Sequence, residues 1–165
     1  PLQGLIDGFA CISARLVKNR LSDFDNLNIE RQEMKIERFE DTEAWQLARD
    51  LARYLYDLTR KVKFARDLGL KRQIRHAAGA TMHNIAQGFD AGSDSEYVRF
   101  LRRAKRACTE VQSELYIALD QKYISVSDFV TIHNHAGRTR ATIGVLIREL
   151  LNHAQEATQK EKIEP

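Results

Sequence analysis

Residues 83–101 read His83-Asn84-Ile85-Ala86-Gln87-Gly88-Phe89-Asp90-Ala91-Gly92-Ser93-Asp94-Ser95-Glu96-Tyr97-Val98-Arg99-Phe100-Leu101. Gly88 stands at the end of a pattern of apolar and small residues with helical spacing. That is the place where a left-handed residue closes a helix, and Gly adopts that conformation without a Cβ penalty. Five residues later Ser93-Asp94-Ser95-Glu96 has the form of a capping box. In such a box the serine oxygen accepts a backbone N–H and the glutamate reaches back. The stretch therefore predicts a helix stop, a short turn and a helix start, which lays two helices side by side.

Working outward, Leu70, Ile74, Ala77, Ala78, Thr81 and Ile85 recur at steps of three and four, placing a helix over about 69–87 with one core face. After the turn, Tyr97, Phe100, Leu101, Ala104, Cys108, Val111, Leu115, Ala118 and Leu119 sustain a stripe over more than six turns. Upstream, Ala44, Ala48, Leu51, Ala52, Leu55 and Leu58 predict a helix from about Thr42 to Val62, capped by Asp41 or Thr42, with Trp45 as a core anchor. The basic segment 60–67 between these helices is expected to be a linker too polar to pack. Downstream, residues 123–128 break the pattern, and Ser125 or Ser127 caps a fourth helix carrying Phe129, Ile132, Ala136, Ile143, Leu146, Ile147, Leu150, Leu151 and Ala154. Four long helices with short connections predict an all-α, up-down-up-down antiparallel four-helix bundle over 34–155. A charged tail, 156–165, follows it. Residues 1–33 break with this regularity: they read as an N-terminal extension upstream of a start at Met34, or as an arm that docks on the bundle or on a partner.

Composition agrees with this reading. The 165 residues contain two prolines, at positions 1 and 165, so nothing interrupts the interior helices. No apolar run approaches the roughly 20 residues of a membrane span, and no secretory signal pattern opens the chain. Cys11 and Cys108 lie far apart and read as reduced thiols of a cytoplasmic protein. No catalytic motif is present. The five histidines, His76, His83, His133, His135 and His153, lack metal-ligand spacing, and the rings of His133 and His135 diverge on a helix. The expectation is a non-enzyme with no cofactor and no metal.

Charge carries the strongest functional signal. Residues 60–106 hold twelve Lys and Arg against four acids, a local charge of +8 in a chain whose total is +3. Arg99, Arg102, Arg103 and Arg106 follow i, i+3, i+4, i+7 and form one helical stripe; Arg72, Arg75 and His76 form a second patch on the preceding helix, which also carries Lys71. Such stripes suit phosphate contacts. A solvated, salt-bridged or intersubunit face is the competing reading, with Arg106 and Glu110 as one possible pair. Arg75, Asn84, Glu110 and Glu114 lie beside apolar faces and are expected to form a buried polar network that sets helix register.

Several segments share one resemblance: Phe39-Glu40-Asp41, Trp45, 73–78 (Gln-Ile-Arg-His-Ala-Ala), 84–89 (Asn-Ile-Ala-Gln-Gly-Phe), Glu96, Phe100-Leu101, Glu114-Leu115 and Tyr123-Ile124. In this order they resemble the four-helix bundle family of proteins encoded in intervening sequences of bacterial 23S rRNA genes, over about 37–151. The chain departs from the family pattern at His76, often Arg; at 81–83, where a proline is frequent; and at Gln87, usually Glu. The resemblance implies a homo-oligomer, a ring-forming pentamer. It also implies kinship with the accessory protein of diversity-generating retroelements, which binds a reverse transcriptase and nucleic acid. The expected function is RNA or DNA binding through Lys71, Arg72, Arg75, Arg99, Arg102, Arg103 and Arg106; the alternative is a protein-interaction scaffold such as a reverse-transcriptase accessory subunit.

Overall fold

The computed structural model describes residues 36–161, so the expectation for 1–33 lies outside the described residues. The described residues form a 3-10 turn, Phe39–Asp41, and five α-helices. These are α1 Glu43–Leu58, α2 Val62–Arg66, α3 Leu68–Phe89, α4 Asp94–Asp120 and α5 Val126–Glu161, with no strand among the described residues. Four are long; α2 is the short one. Helix α5 continues through the start of the expected tail to Glu161.

Each long helix starts where its cap chemistry begins. Thr42 accepts from the N–H of Trp45, and the Asp67 carboxylate accepts from Leu70 N–H at 2.9 Å. Ser93 accepts from Glu96 N–H at 3.4 Å, but the Glu96 carboxylate lies 3.7 Å from Arg99, so one half of the expected box is made. Ser125, not Ser127, caps α5. Its hydroxyl accepts from Asp128 N–H at 3.1 Å while Asp128 accepts from Ser125 N–H at 3.0 Å.

Contacts between helices set the register. Helix α4 packs on α3 and α5, and α1 packs on the same two. Along α3 and α4, Thr81 meets Cys108 at 3.8 Å and Gly88 meets Tyr97 and Phe100. Along α4 and α5, Gln112 meets His133 at 3.4 Å and Tyr116 meets Phe129 with ring centroids 4.9 Å apart. Along α1 and α5, Glu43 meets Arg138 at 3.2 Å and His135 Nε2 lies 3.0 Å from the Leu47 carbonyl. In each seam residue numbers fall on one helix as they rise on the other. His133 and His135 thus face opposite neighbours, as their spacing required.

Every residue of the expected core stripes of α1 and α3 is buried, and Leu47 and Gly88 join them. On α4 the stripe is rotated: Val98, Ala107 and Glu114 are buried, while Tyr97, Phe100 and Leu119 are half-buried. On α5, Leu151 and Ala154 are exposed; α1 begins at Glu43, level with Arg138, so the later turns of α5 run beyond it. Thr59, Thr81 and Thr139 are fully buried, and each hydroxyl donates to a carbonyl one turn back, at 2.7, 3.1 and 2.9 Å.

Two expectations are corrected. Gly88 is not a left-handed stop. It lies inside α3, which runs to Phe89, and no described glycine has positive φ. It is required for space: a Cβ there would stand 2.6 Å from Tyr97 Cδ2 and 2.8 Å from Phe100 Cβ. The left-handed residue is Lys122, at φ 56°, where α4 ends. The segment 60–67 is also more than a polar linker. Helix α1 stops at Leu58, and α2 inserts Phe64, which is fully buried beside Tyr123 with centroids 5.6 Å apart. Lys61 reaches Asp128 at 2.6 Å; that ammonium, with the Ser125 hydroxyl, holds the Asp128 carboxyl down at about 2. Phe64 and the Lys61–Asp128 pair together tie the segment to the bundle.

Candidate nucleic-acid interface

The two basic patches meet different fates. On α3, Arg75 is committed to α1. Its Nε donates to Thr59 Oγ1 at 2.7 Å, Nη2 donates to the Tyr56 carbonyl at 3.3 Å, and the guanidinium lies 4.4 Å over the Tyr56 ring. A planar cation can satisfy an aromatic face and two acceptors together. Arg72 is exposed and Lys71 half-exposed on the same helix. With Arg75 they border an open depression along the outer face of α3 that includes Tyr56, Gly79 and Ala80.

On α4, Arg99, Arg102, Arg103, Lys105 and Arg106 are all exposed. Arg99 touches Glu96; Arg102, Arg103 and Arg106 pair with no carboxylate among the described residues, and the Arg106–Glu110 pair of the competing reading is not formed. Arg99 and Arg103 flank Phe100, their guanidinium carbons 5.9 and 5.3 Å from its ring centre. Lys105 is exposed too but leans toward α5, its Nζ 3.6 Å from where a Cβ on Gly144 would stand.

Register separates the patches. With Thr81 level with Cys108, Arg75 comes level with Glu114, about eight residues beyond Arg106 and roughly 12 Å along the axis at 1.5 Å per residue. Arg99 is a further two turns away. The structure therefore does not bring Lys71, Arg72 and Arg75 together with the Arg99–Arg106 stripe into one cluster.

The expected polar network does not assemble either. Asn84 donates to the Ala80 carbonyl of its own helix at 2.7 Å, while Arg75 turns to α1. Glu114 is buried, and its Oε2 has no hydrogen-bond partner among the described residues. Burial, aided by the nearby Glu110, pushes its carboxyl up to about 7. A carboxyl that keeps its proton to neutral pH needs no cation beside it. The neighbouring acid, Glu110, is exposed, so the two carboxyls are not a pair facing one pocket.

The remaining candidates are core residues. Cys108 is fully buried, and burial raises its thiol to about 11 despite the Thr81 hydroxyl and Arg140. Trp45 packs partly buried against the core with Phe39 edge-on at 5.2 Å. His133 stacks on Phe129 at 5.1 Å. Among the described residues no group of three or more His, Cys, Asp or Glu is gathered in metal-holding geometry, and no helix is long and apolar enough to cross a membrane. Sequence reasoning missed Arg140, whose approach to Cys108 from α5 needs the α4–α5 register. The signal available was the acid-free run 137–148.

Comparison with known proteins fits this architecture. A crystal structure of a protein of unknown function from the S23 ribosomal protein family of Bacteroides thetaiotaomicron is similar, with a TM-score of 0.60 at 17% identity. The similarity covers 63% of this chain and 97% of that one, and at that identity it speaks for the fold alone. A search of curated proteins finds no match. The sequence model of the 23S rRNA-intervening sequence protein matches residues 40–144, which hold α1 to α4 and the first half of α5. The chain therefore belongs to the 23S rRNA-intervening sequence protein family.

Proposed function

We propose that this protein is a non-enzymatic, up-down-up-down four-helix bundle that self-associates and binds RNA or another nucleic acid through the exposed cations of α4. One observation carries the binding reading: residues 99–109 present five exposed Lys and Arg and no acid, and three of those arginines pair with no carboxylate among the described residues. Three unpaired guanidinia on one face repel one another, and a polyanion relieves that repulsion while its counterions are released. The α3 patch is secondary here, since Arg75 is already engaged.

Self-association is assigned to the outer face of α3. Leu68 and Tyr56 are exposed there beside the small residues Gly79 and Ala80, which let another backbone approach. The pentamer implied by the family resemblance is the expected assembly. Filter binding to a structured RNA across a salt series tests the binding reading: affinity should fall steeply as salt rises. Affinity that is flat with salt, or no binding at low salt, removes it. Light scattering after size exclusion reads the assembly, and a strictly monomeric protein removes that half.

A further inference from the structure

We infer that the phosphate-binding strip is two helices wide, crossing from α4 onto α5 through Lys105 to Arg140 and Arg148, and that it takes the backbone of a nucleic-acid duplex rather than a single strand. This rests on the binding reading above and extends it to residues and a ligand class.

The seam geometry sets the width. Lys105 Nζ lies 3.6 Å from where a Cβ on Gly144 would stand, so its ammonium sits over α5. Gln112 lies against Gly137 in the same seam, at 3.4 Å from the corresponding position. Gly137 and Gly144 therefore mark the face of α5 that meets α4. Arg140 and Arg148 follow them at helical spacing, three and four residues on, and belong to that side of the helix. Both are exposed. The Lys105–Gly144 register brings Arg140 level with Thr109, one turn from Arg106, and Arg148 level with Leu101, beside Arg102. Arg138, on the opposite side, is taken by Glu43 at 3.2 Å. Neither 99–109 nor 137–148 contains an acid.

Duplex preference follows from what the strip offers. Packed helices lie about 8–10 Å apart, so two cation rows at that spacing can meet phosphate rows on both sides of one groove. A single strand presents one row. Proteins that hold single strands add aromatic platforms for the bases. The aromatic within this strip, Phe100, is half-buried, packed on Gly88 and flanked by Arg99 and Arg103. No base can stack there.

The test measures fluorescence anisotropy of the full chain with a 20-base-pair RNA duplex and with each of its single strands, across a salt series. It compares wild type, Arg140→Glu/Arg148→Glu and Arg102→Glu/Arg106→Glu, with circular-dichroism melts to check folding. The wild type should bind duplex at least tenfold more tightly than either strand. The Arg140/Arg148 variant should lose tenfold or more in duplex affinity, with an unchanged melt. Its salt slope should shrink by about 0.9 for each phosphate it no longer neutralises. Equal affinity for single strands overturns the inference while leaving the binding reading standing. So does an Arg140/Arg148 variant that keeps wild-type affinity and slope while the Arg102/Arg106 variant fails. No binding of either nucleic acid by wild type removes both.

Discussion

The arginines of α3 and those of α4 are alike in chemistry and in helical spacing, yet the structure employs them differently. Arg75 spends its donors on Thr59 and Tyr56 and ties α3 to α1. Arg102, Arg103 and Arg106 face solvent with no carboxylate partner among the described residues. An arginine-rich sequence therefore contains two populations, one holding helices together and one available to a partner. The side of the helix each residue occupies divides them.

Reversing charge in the available group should have the largest effect. Arg102→Glu/Arg103→Glu/Arg106→Glu should lower nucleic-acid affinity about 100-fold or more at moderate salt, because phosphates go unneutralised and repulsion is added. Its melting temperature should stay near wild type; a loss of several degrees would show that these arginines are structural after all.

Gly88→Ala probes the contact that holds the two patches in register. Its new methyl would stand 2.6 Å from Tyr97 and 2.8 Å from Phe100, so α3 and α4 must separate locally. The expected destabilisation is about 1–3 kcal/mol in denaturant titration. Wild-type stability would mean that the seam is looser than this packing implies.

Arg75→Ala completes the contrast. Removing a charged donor from a buried hydroxyl and a ring contact should cost about 1.5–2 kcal/mol. Its nucleic-acid affinity should change less than threefold. A variant that keeps its stability but loses binding would invert the division between the two groups.

Glu114→Gln should have the smallest effect on nucleic-acid affinity and the clearest pH signature. The Glu114 carboxyl is raised to about 7 in the folded chain from an ordinary value of 4.5, so folding favours the protonated form. Its contribution is complete below the unfolded value and is lost as pH rises through about 7. The amide keeps the shape and carries no charge. The variant should therefore come close to wild type at pH 4.5 and exceed it by up to about 3 kcal/mol at pH 8, a unit of pKa shift being worth about 1.4 kcal/mol. Parallel stability–pH curves would show that Glu114 stays ionised in the fold.

Much of the fold was legible because its signals are local. The α1 and α3 stripes follow from spacing, and the caps at Thr42 and Ser93 follow from side chains three residues from the N–H groups they accept. The misreadings lie where a distant residue decides. Gly88 has the composition of a stop, but its role comes from Tyr97 and Phe100 across the seam. Segment 60–67 reads as polar by count, yet Phe64 is anchored by Tyr123 and Lys61 by Asp128, both far along the chain. The candidate site was half legible for the same reason. A stripe on α4 is periodicity, whereas the withdrawal of Arg75 and the approach of Lys105 to α5 depend on neighbouring helices.

By itself, then, the sequence determined that this chain is helical, where most of its helices begin, and that α4 carries a continuous run of cations. Those properties depend on hydrogen bonds and side-chain spacing within a few residues. Tertiary structure alone decided which arginines remain available, which glycine admits a neighbour and which carboxyl holds its proton. Availability, close approach and dielectric are set by what packs alongside, and that is brought there from elsewhere in the chain.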